Sequence, residues 1–333
     1  MGKRLWARRI SCAICSVAAV NVAAAQVSST PATPGYPSKS IRMLVGFAPG
    51  GGTDVTARLF AQKFSEAMGQ TVLVDNRAGA GGNIATDLTA KAVPDGYTLL
   101  MTVSSHAINV SLYSKLPYDP VRDFAPVSVV AVAPNMLSAH PSVPVISLQD
   151  LVTLAKAKPG EITYGSPGNG TAQHLAMELF RSMAGIQLVH VPYNGGGPST
   201  AAALGGQVQL LASSLPTALP HVRAGKLKAL GVTSAQRSQL APDLPTVTEA
   251  GGLPGYEAAV WYGMLAPAAT PMPIINKLNA EIERLLRLRD VQERLTTLGF
   301  EPHRNTPQQF AQLIKSDIVK WAKVVRESGA KVD

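Results

Sequence analysis

Cysteine is almost missing: among 333 residues it occurs only at Cys12 and Cys15. Everything downstream is therefore without disulfides, thiolate metal sites or a cysteine nucleophile, and is indifferent to an oxidising compartment. Charge is scarce too, at 15% against 46% hydrophobic residues, which is the composition of a packed globular chain and not of a disordered or fibrous one. Long apolar runs are missing: 127–133 and 258–269 are too short to span a bilayer. Acid is missing from the first 25 residues, which carry Lys3, Arg4, Arg8 and Arg9. The 30 basic residues less these four leave 26 against 21 acidic, so the net charge of +9 falls to +5. That excess suits an anionic ligand without pointing to nucleic acid.

What the N-terminus does contain is a basic stretch ending at Arg9, an apolar run from Ile10, and Ala23-Ala24-Ala25 before Gln26. This order predicts a secretory signal peptide over 1–25, cleaved after Ala25, and a periplasmic mature protein that has lost both cysteines. A Ser/Thr/Pro/Gly segment follows, so 26–35 is expected to be flexible.

From Ile41 onward, short β-branched runs alternate with longer helical patterns, the signature of βα units in an α/β fold with mainly parallel sheets. Strands are expected at 41–47, 71–75, 98–103, 162–166, 188–193, 208–212 and 227–233. A helix from about Thr53 stacks Leu59, Phe60, Phe64 and Met68 and closes at Gly69. Two C-terminal helices carry stripes at Ile274, Leu278, Ile282 and Leu285, and at Phe310, Ile314, Trp321 and Val325.

An internal echo organises the chain. Pro49-Gly50-Gly51-Gly52-Thr53 matches Pro167-Gly168-Asn169-Gly170-Thr171, the glycine cluster at 79–82 matches that at 195–197, and Ser104-Ser105 matches Ser213-Ser214. Two copies of one βαβαβ unit would bring these turns to the ligand-binding edge of two sheets. The apolar runs 127–139 and 256–266 are long enough to cross between them. Residues 36–134 with 260–333 are thus expected to form domain 1, and 135–259 domain 2, with two crossover hinge segments beside a cleft that closes.

Catalytic chemistry is thinly represented. Six histidines show no metal-ligand spacing, Ser166 lacks a nucleophile elbow, and the Pro49–Thr53 turn has neither the Gly-Lys-Ser/Thr of a phosphate loop nor the third glycine of a dinucleotide fingerprint. No metal, no cofactor and no enzyme activity are expected; an α/β hydrolase or a nucleotide-binding enzyme is the weaker alternative. The glycine turns instead offer backbone N–H groups at helix N-termini, which favour carboxylates. Thr171 is equally a helix cap or a ligand contact; Asp54 is read first as a cap and His174 first as a packed side chain, with ligand contact the alternative for each. Arg77 either meets an anion or braces its loop. Phe47, Tyr193 and His106 either flank a flat ligand or belong to the core.

These motifs taken together resemble a known family. Val45-Gly46-Phe47-Ala48-Pro49-Gly50-Gly51-Gly52-Thr53-Asp54, Asn76-Arg77 with Gly79–Gly82, Pro94-Asp95-Gly96-Tyr97, Gly165–Thr171 with His174-Leu175, Val191-Pro192-Tyr193 and Ala224–Leu227 are similar to those of Bug-type periplasmic solute-binding proteins, the receptors of tripartite tricarboxylate transporters. The resemblance runs from Tyr36 to Val332. It implies a two-domain Venus-flytrap fold whose turns at Phe47, Ala48, Pro49, Gly50 and Gly51 and at Gly168, Asn169, Gly170, Thr171 and Ala172 grip a ligand carboxylate. Ser104, Ser105, Tyr193 and Ser213 complete the expected site. The implied partner is a membrane permease of the tripartite type, or a sensor kinase. Many relatives carry Asp near the strand end where this chain has Ala212-Ser213-Ser214, so the expected ligand is a di-, tri- or aromatic carboxylate without an amine.

Overall fold

The computed structural model describes residues 35–47, 49–193 and 196–330. The expected signal peptide, both cysteines, residues 26–34 and Ala48 lie outside the described residues. Residues 33–333 form one compact unit.

The elements follow the expected alternation. In chain order they are β1 (Ile41–Val45), α1 (Gly52–Met68), β2 (Val72–Asn76), a 3₁₀ turn (Ala80–Gly82), α2 (Asn83–Ala90), β3 (Thr98–Val103), α3 (Ser105–Leu112), β4 (Phe124–Ala133), β5 (Asn135–Ala139) and α4 (Leu148–Ala157). Then come β6 (Thr163–Ser166), α5 (Ala172–Ala184), β7 (Val189–Pro192), α6 (Gly196–Leu204), β8 (Leu210–Ser214), α7 (Leu215–Arg223), β9 (Lys228–Val232) and α8 (Val247–Gly251). The chain ends with β10 (Val260–Pro267), α9 (Met272–Leu285), α10 (Arg289–Thr297), β11 (Glu301–Pro302) and α11 (Pro307–Ser328).

Local chemistry explains the boundaries. Gly69 ends α1 in the left-handed region at φ 68° and returns its N–H to the Ser65 carbonyl, a conformation that β-carbons disfavour. Helix α11 begins with a reciprocal cap between Thr306 and Gln309 and with Pro307, whose missing N–H costs nothing in the first turn. Phe60 and Phe64 on α1 are fully buried against β1, each stabilising the fold by about 1.5–3 kcal/mol.

Two sheets result, in the orders β11-β4-β10-β3-β1-β2 and β7-β6-β8-β5-β9. Strands β2, β1 and β3 run parallel, as do β7, β6 and β8. The sheets are nevertheless mixed, because β10 pairs antiparallel with β3 and β4, and β5 pairs antiparallel with β8 and β9. The short β11 also pairs antiparallel, with β4, but β5 and β10 have a common cause. Each is the strand by which the chain enters from the other sheet, so it begins where its neighbours end: Asn135 lies opposite Ser214, and Val260 opposite Ala133. The carboxyl ends of the parallel strands in both sheets consequently lie at the crossings.

We call each sheet with its helices a lobe. The two crossing segments are stitched together by Asn135 and Thr233. The Asn135 N–H donates to Thr233 Oγ1 at 2.9 Å, the Thr233 N–H returns to the Asn135 carbonyl at 2.9 Å, and Asn135 Nδ2 donates to the Ala258 carbonyl at 3.1 Å. Asn135 Oδ1 accepts from Gln173 Nε2 at 3.1 Å, which ties α5 to the crossing.

Helix α11 departs from the expectation that the C-terminal helices return to the first domain. Phe310 and Ile314 pack in the first lobe beside Trp261 and Phe124, whereas Trp321, Val324 and Val325 pack among Leu175, Phe180 and Tyr164 of the second. A stripe read at helical spacing says only that a face is buried; over 22 residues, about 33 Å, one face reaches two cores.

Asn135 is 1% exposed, so Asn135→Ala would leave the Gln173 amide without this partner and the Ala258 carbonyl with Thr233 Oγ1 alone, at 3.2 Å. The expected cost is about 1–3 kcal/mol, read as a lower urea midpoint with an unchanged slope.

Candidate functional site

Strands β1, β3 and β6 all end in turns at the crossing. After β1, a β-carbon on Gly46 would stand 2.6 Å from the Gly82 Cα, so the turn after β1 and the 3₁₀ turn touch backbone to backbone, which only glycine permits. Asp54, 2% exposed, braces this region from the first turn of α1. Its carboxylate accepts from the Gly50 N–H at 2.8 Å, Arg58 Nε at 3.0 Å and Asn76 Nδ2 at 2.9 Å, and Asn76 Nδ2 also donates to the Phe47 carbonyl at 3.0 Å. Burial raises the Asp54 pKa, but these donors outweigh it and hold the carboxyl below the usual range.

The turn after β6 is braced differently. Gly168 and Gly170 adopt φ of 140° and 71°. Thr171 Oγ1 donates to the Gly168 carbonyl at 2.8 Å and accepts from the His174 N–H at 3.3 Å, so its hydroxyl serves as the helix cap. The Gly170 N–H donates to His174 Nδ1 at 3.1 Å. His174 stacks on His190 with centroids 4.0 Å apart, and His190 Nε2 lies 2.7 Å from Ser166 Oγ. Burial, and then the Arg181 charge, push His174 down to about 4, so it is neutral and able to accept at Nδ1 near pH 7.

Between these turns lies a cavity of about 290 Å³. From the first lobe it is lined by Phe47, Gly81, Val103, Ser104, Ser105, Val260 and the α3 residues Ile108, Asn109, Leu112 and Tyr113; from the second by Asn169, Gly170, Thr171 and Ala172. Two helices open onto it, one per lobe. The N–H groups of Ser105 and His106 at the start of α3, and of Ala172 and Gln173 at the start of α5, have no partner among the described residues. Ser104, 2% exposed, lines the cavity with a hydroxyl that has no partner among the described residues. A wider groove of about 940 Å³ lies on α10 between Arg287, Arg289 and Glu293, away from the strand ends and without their amides.

Seven of the expected site residues thus meet at one place: Phe47, Ser104, Ser105, Asn169, Gly170, Thr171 and Ala172. Pro49, Gly50, Gly51 and Gly168 belong to the supporting turns and do not line the cavity. Tyr193 packs its ring toward Gly165 and the cluster around Val208. Ser213 shares a strand face with Leu211, inside that cluster, and its buried hydroxyl has no partner among the described residues. His106 is also remote: its Nε2 meets the Pro120 carbonyl at 2.9 Å and its ring lies between Tyr118 and Phe124. Arg77 is half-exposed and pairs with Asp75 at 3.0 Å. The residues missed were Gly81, Val103, Val260 and one face of α3 with its C-cap Tyr113; the spacing 105, 108, 109, 112, 113 is that of one helix face and was open to reading.

Folded His106 and His174, 2% and 3% exposed, both titrate at about 4 because of burial, against 6.5 when unfolded. Their unfolded forms therefore bind more protons between these values. Stability is full above pH 6.5 and is lost as pH falls toward 4, by up to about 1.4 kcal/mol per unit for each group. Thermal midpoints measured from pH 7 to 4.5 should fall, and His174→Gln should show the shallower fall.

Comparison with known proteins agrees with this geometry. Residues 56–330 match the model of the tripartite tricarboxylate transporter family receptor. Protein BugT of Bordetella pertussis is 40% identical over 95% of this chain and 98% of its own. A Rhodopseudomonas palustris protein solved with adipate is 38% identical, covering 89% of this chain and all of that one, with a TM-score of 0.74. MatC of the same organism, solved with malate, is 35% identical over 87% of this chain and all of its own, with a TM-score of 0.70. The fold is that of a two-domain solute-binding protein, and the chain belongs to the tripartite tricarboxylate transporter receptor family.

Proposed function

We propose that this protein is a periplasmic receptor that binds a small carboxylate without an amine in the cavity between the lobes and delivers it to a membrane permease. The observation that carries the reading is the convergence of two helix N-termini and the Ser104 hydroxyl on one cavity, from opposite lobes. Oriented N–H groups and the helix dipoles favour an anion there. No Asp or Glu is among the described lining residues, so an ammonium group would be buried unpaired. This replaces the argument from Ala212–Ser214, residues that do not line the cavity. The similar proteins solved with adipate and malate support the class of ligand. Export by a signal peptide over 1–25 is part of the same reading.

The lobes, 36–134 with 260–333 and 135–259, close on the ligand by bending at residues 133–135 and 258–260. Ala172 packs against the first lobe's core, a contact between the lobes that supports this reading. Four or five charge-assisted hydrogen bonds of about 1.5–3 kcal/mol each offset the cost of association and reach micromolar affinity without a lysine or arginine.

Gly170 lines the cavity at φ 71°, where a β-branched side chain is both strained and in the ligand's path. Gly170→Val is expected to weaken carboxylate binding at least a hundredfold by calorimetry while the far-ultraviolet circular dichroism stays that of the parent. A panel of small acids screened by thermal shift after unfolding, dialysis and refolding tests the function itself. Selective stabilisation by glutamate or aspartate would overturn the reading, as would turnover of an ester or nucleotide.

A further inference from the structure

The cavity's polarity is lopsided, and its charge balance is small. Among the described lining residues there is no lysine, arginine or histidine. The side-chain hydrogens that line it are mostly committed elsewhere. Both hydrogens of Asn109 Nδ2 are used, toward the Gly81 carbonyl at 3.0 Å and Asn83 Oδ1 at 2.7 Å, and the Ser105 hydroxyl donates to the Gly81 carbonyl at 3.3 Å. The Thr171 hydroxyl donates to the Gly168 carbonyl. Apart from the Tyr113 hydroxyl beside Gly81, what remains for an anion is Ser104, the Asn169 side chain and the two helix N-termini. Each N-terminus is worth about half an elementary charge, so the pair balances about one carboxylate. The third nearby N-terminus, that of α1, is already answered by the Asp54 carboxylate in its first turn.

The rest of the wall is hydrocarbon. Val103, Ile108, Leu112 and Val260 are each less than 10% exposed and line the cavity from the end of β3, one stripe of α3 and the start of β10. A second carboxylate against this wall would lose its hydration and meet neither a cation nor a free side-chain donor from α3.

We infer that the ligand carries its charge at one end only: a small monocarboxylate with an uncharged aliphatic or aromatic tail lying on the Val103–Ile108–Leu112–Val260 wall. The inference rests on the carboxylate-receptor reading and narrows it.

Hexanoate and adipate test it, since they share a six-carbon chain and differ in the second carboxylate. Calorimetry is run at pH 7.5 on the full chain as secreted, after unfolding, dialysis and refolding to remove carried-over ligand. Hexanoate is expected to bind at least tenfold more tightly than adipate. Leu112→Lys, which places a cation on the wall, should shift the preference at least tenfold toward adipate. Adipate binding equal to or tighter than hexanoate in the parent overturns the inference and leaves the receptor reading standing. A Leu112→Lys protein that melts within a few degrees of the parent without any shift in preference also overturns it. If Leu112→Lys does not fold, the parent comparison decides. Failure of every acid, aliphatic or aromatic, mono- or dibasic, to bind overturns the receptor reading itself.

Discussion

Everything at the cleft depends on one topological constraint: a strand arriving from the other lobe must enter its sheet backwards. β5 and β10 begin at the crossing, and the parallel strands beside them end there. Since a βα unit puts its turn and the next helix's N-terminus after the strand's carboxyl end, the constraint aims both lobes' exposed amides at the same space. Asn135, the first residue of β5, bonds to Thr233, Ala258 and Gln173 at once, and so holds the crossing and a binding helix in one network.

The two anion-facing turns are similar in sequence and dissimilar in what stiffens them. In the first, a buried carboxylate, Asp54, gathers donors from Gly50, Asn76 and Arg58. In the second, a neutral imidazole, His174, receives the Gly170 amide, and behind it Tyr164 donates to Glu178, which also pairs with Arg181 at 2.6 Å. A charged brace opposes an incoming anion, whereas a neutral one does not. The turn with the neutral brace lines the cavity with Asn169, Gly170 and Thr171, and the charged one with Phe47.

Much of this was legible before any coordinates. The βα alternation placed seven of the eleven described strands, because β-branched runs bounded by glycine encode a buried strand directly; β4, β5 and β10 were read only as apolar crossing runs, and β11 was not read. The glycine echo located the turns, and Phe47, Ser104, Ser105 and Asn169–Ala172 meet where the echo put them. The echo failed at its third pair. Ser104 follows β3 and opens α3, but Ser213 lies within β8, where the period of two turns it into the core beside Leu211. The partition of α11 between two cores and the burial of Tyr193 and His106 were beyond reach, because each is decided by residues distant in the chain. Asp54 and His174 were read correctly as structural, since a first-turn acid and a buried histidine have local reasons to exist.

Helix α11 also places the chromophores. Among the described residues the tryptophans are Trp261 and Trp321. Trp261 donates its indole N–H to Asp317 of α11 at 2.8 Å, from the strand that starts at the crossing, and Trp321 sits on α11 where the helix enters the second core. Lys320 stands over the Trp321 ring at 4.8 Å and pairs with Asp317 at 2.7 Å, so one carboxylate and one ammonium touch both indoles. The two described indoles therefore sit one in each core, Trp261 in the first and Trp321 in the second, and both meet side chains of the same helix. The helix that joins the two cores thus has an intrinsic optical probe at each, with no label to attach.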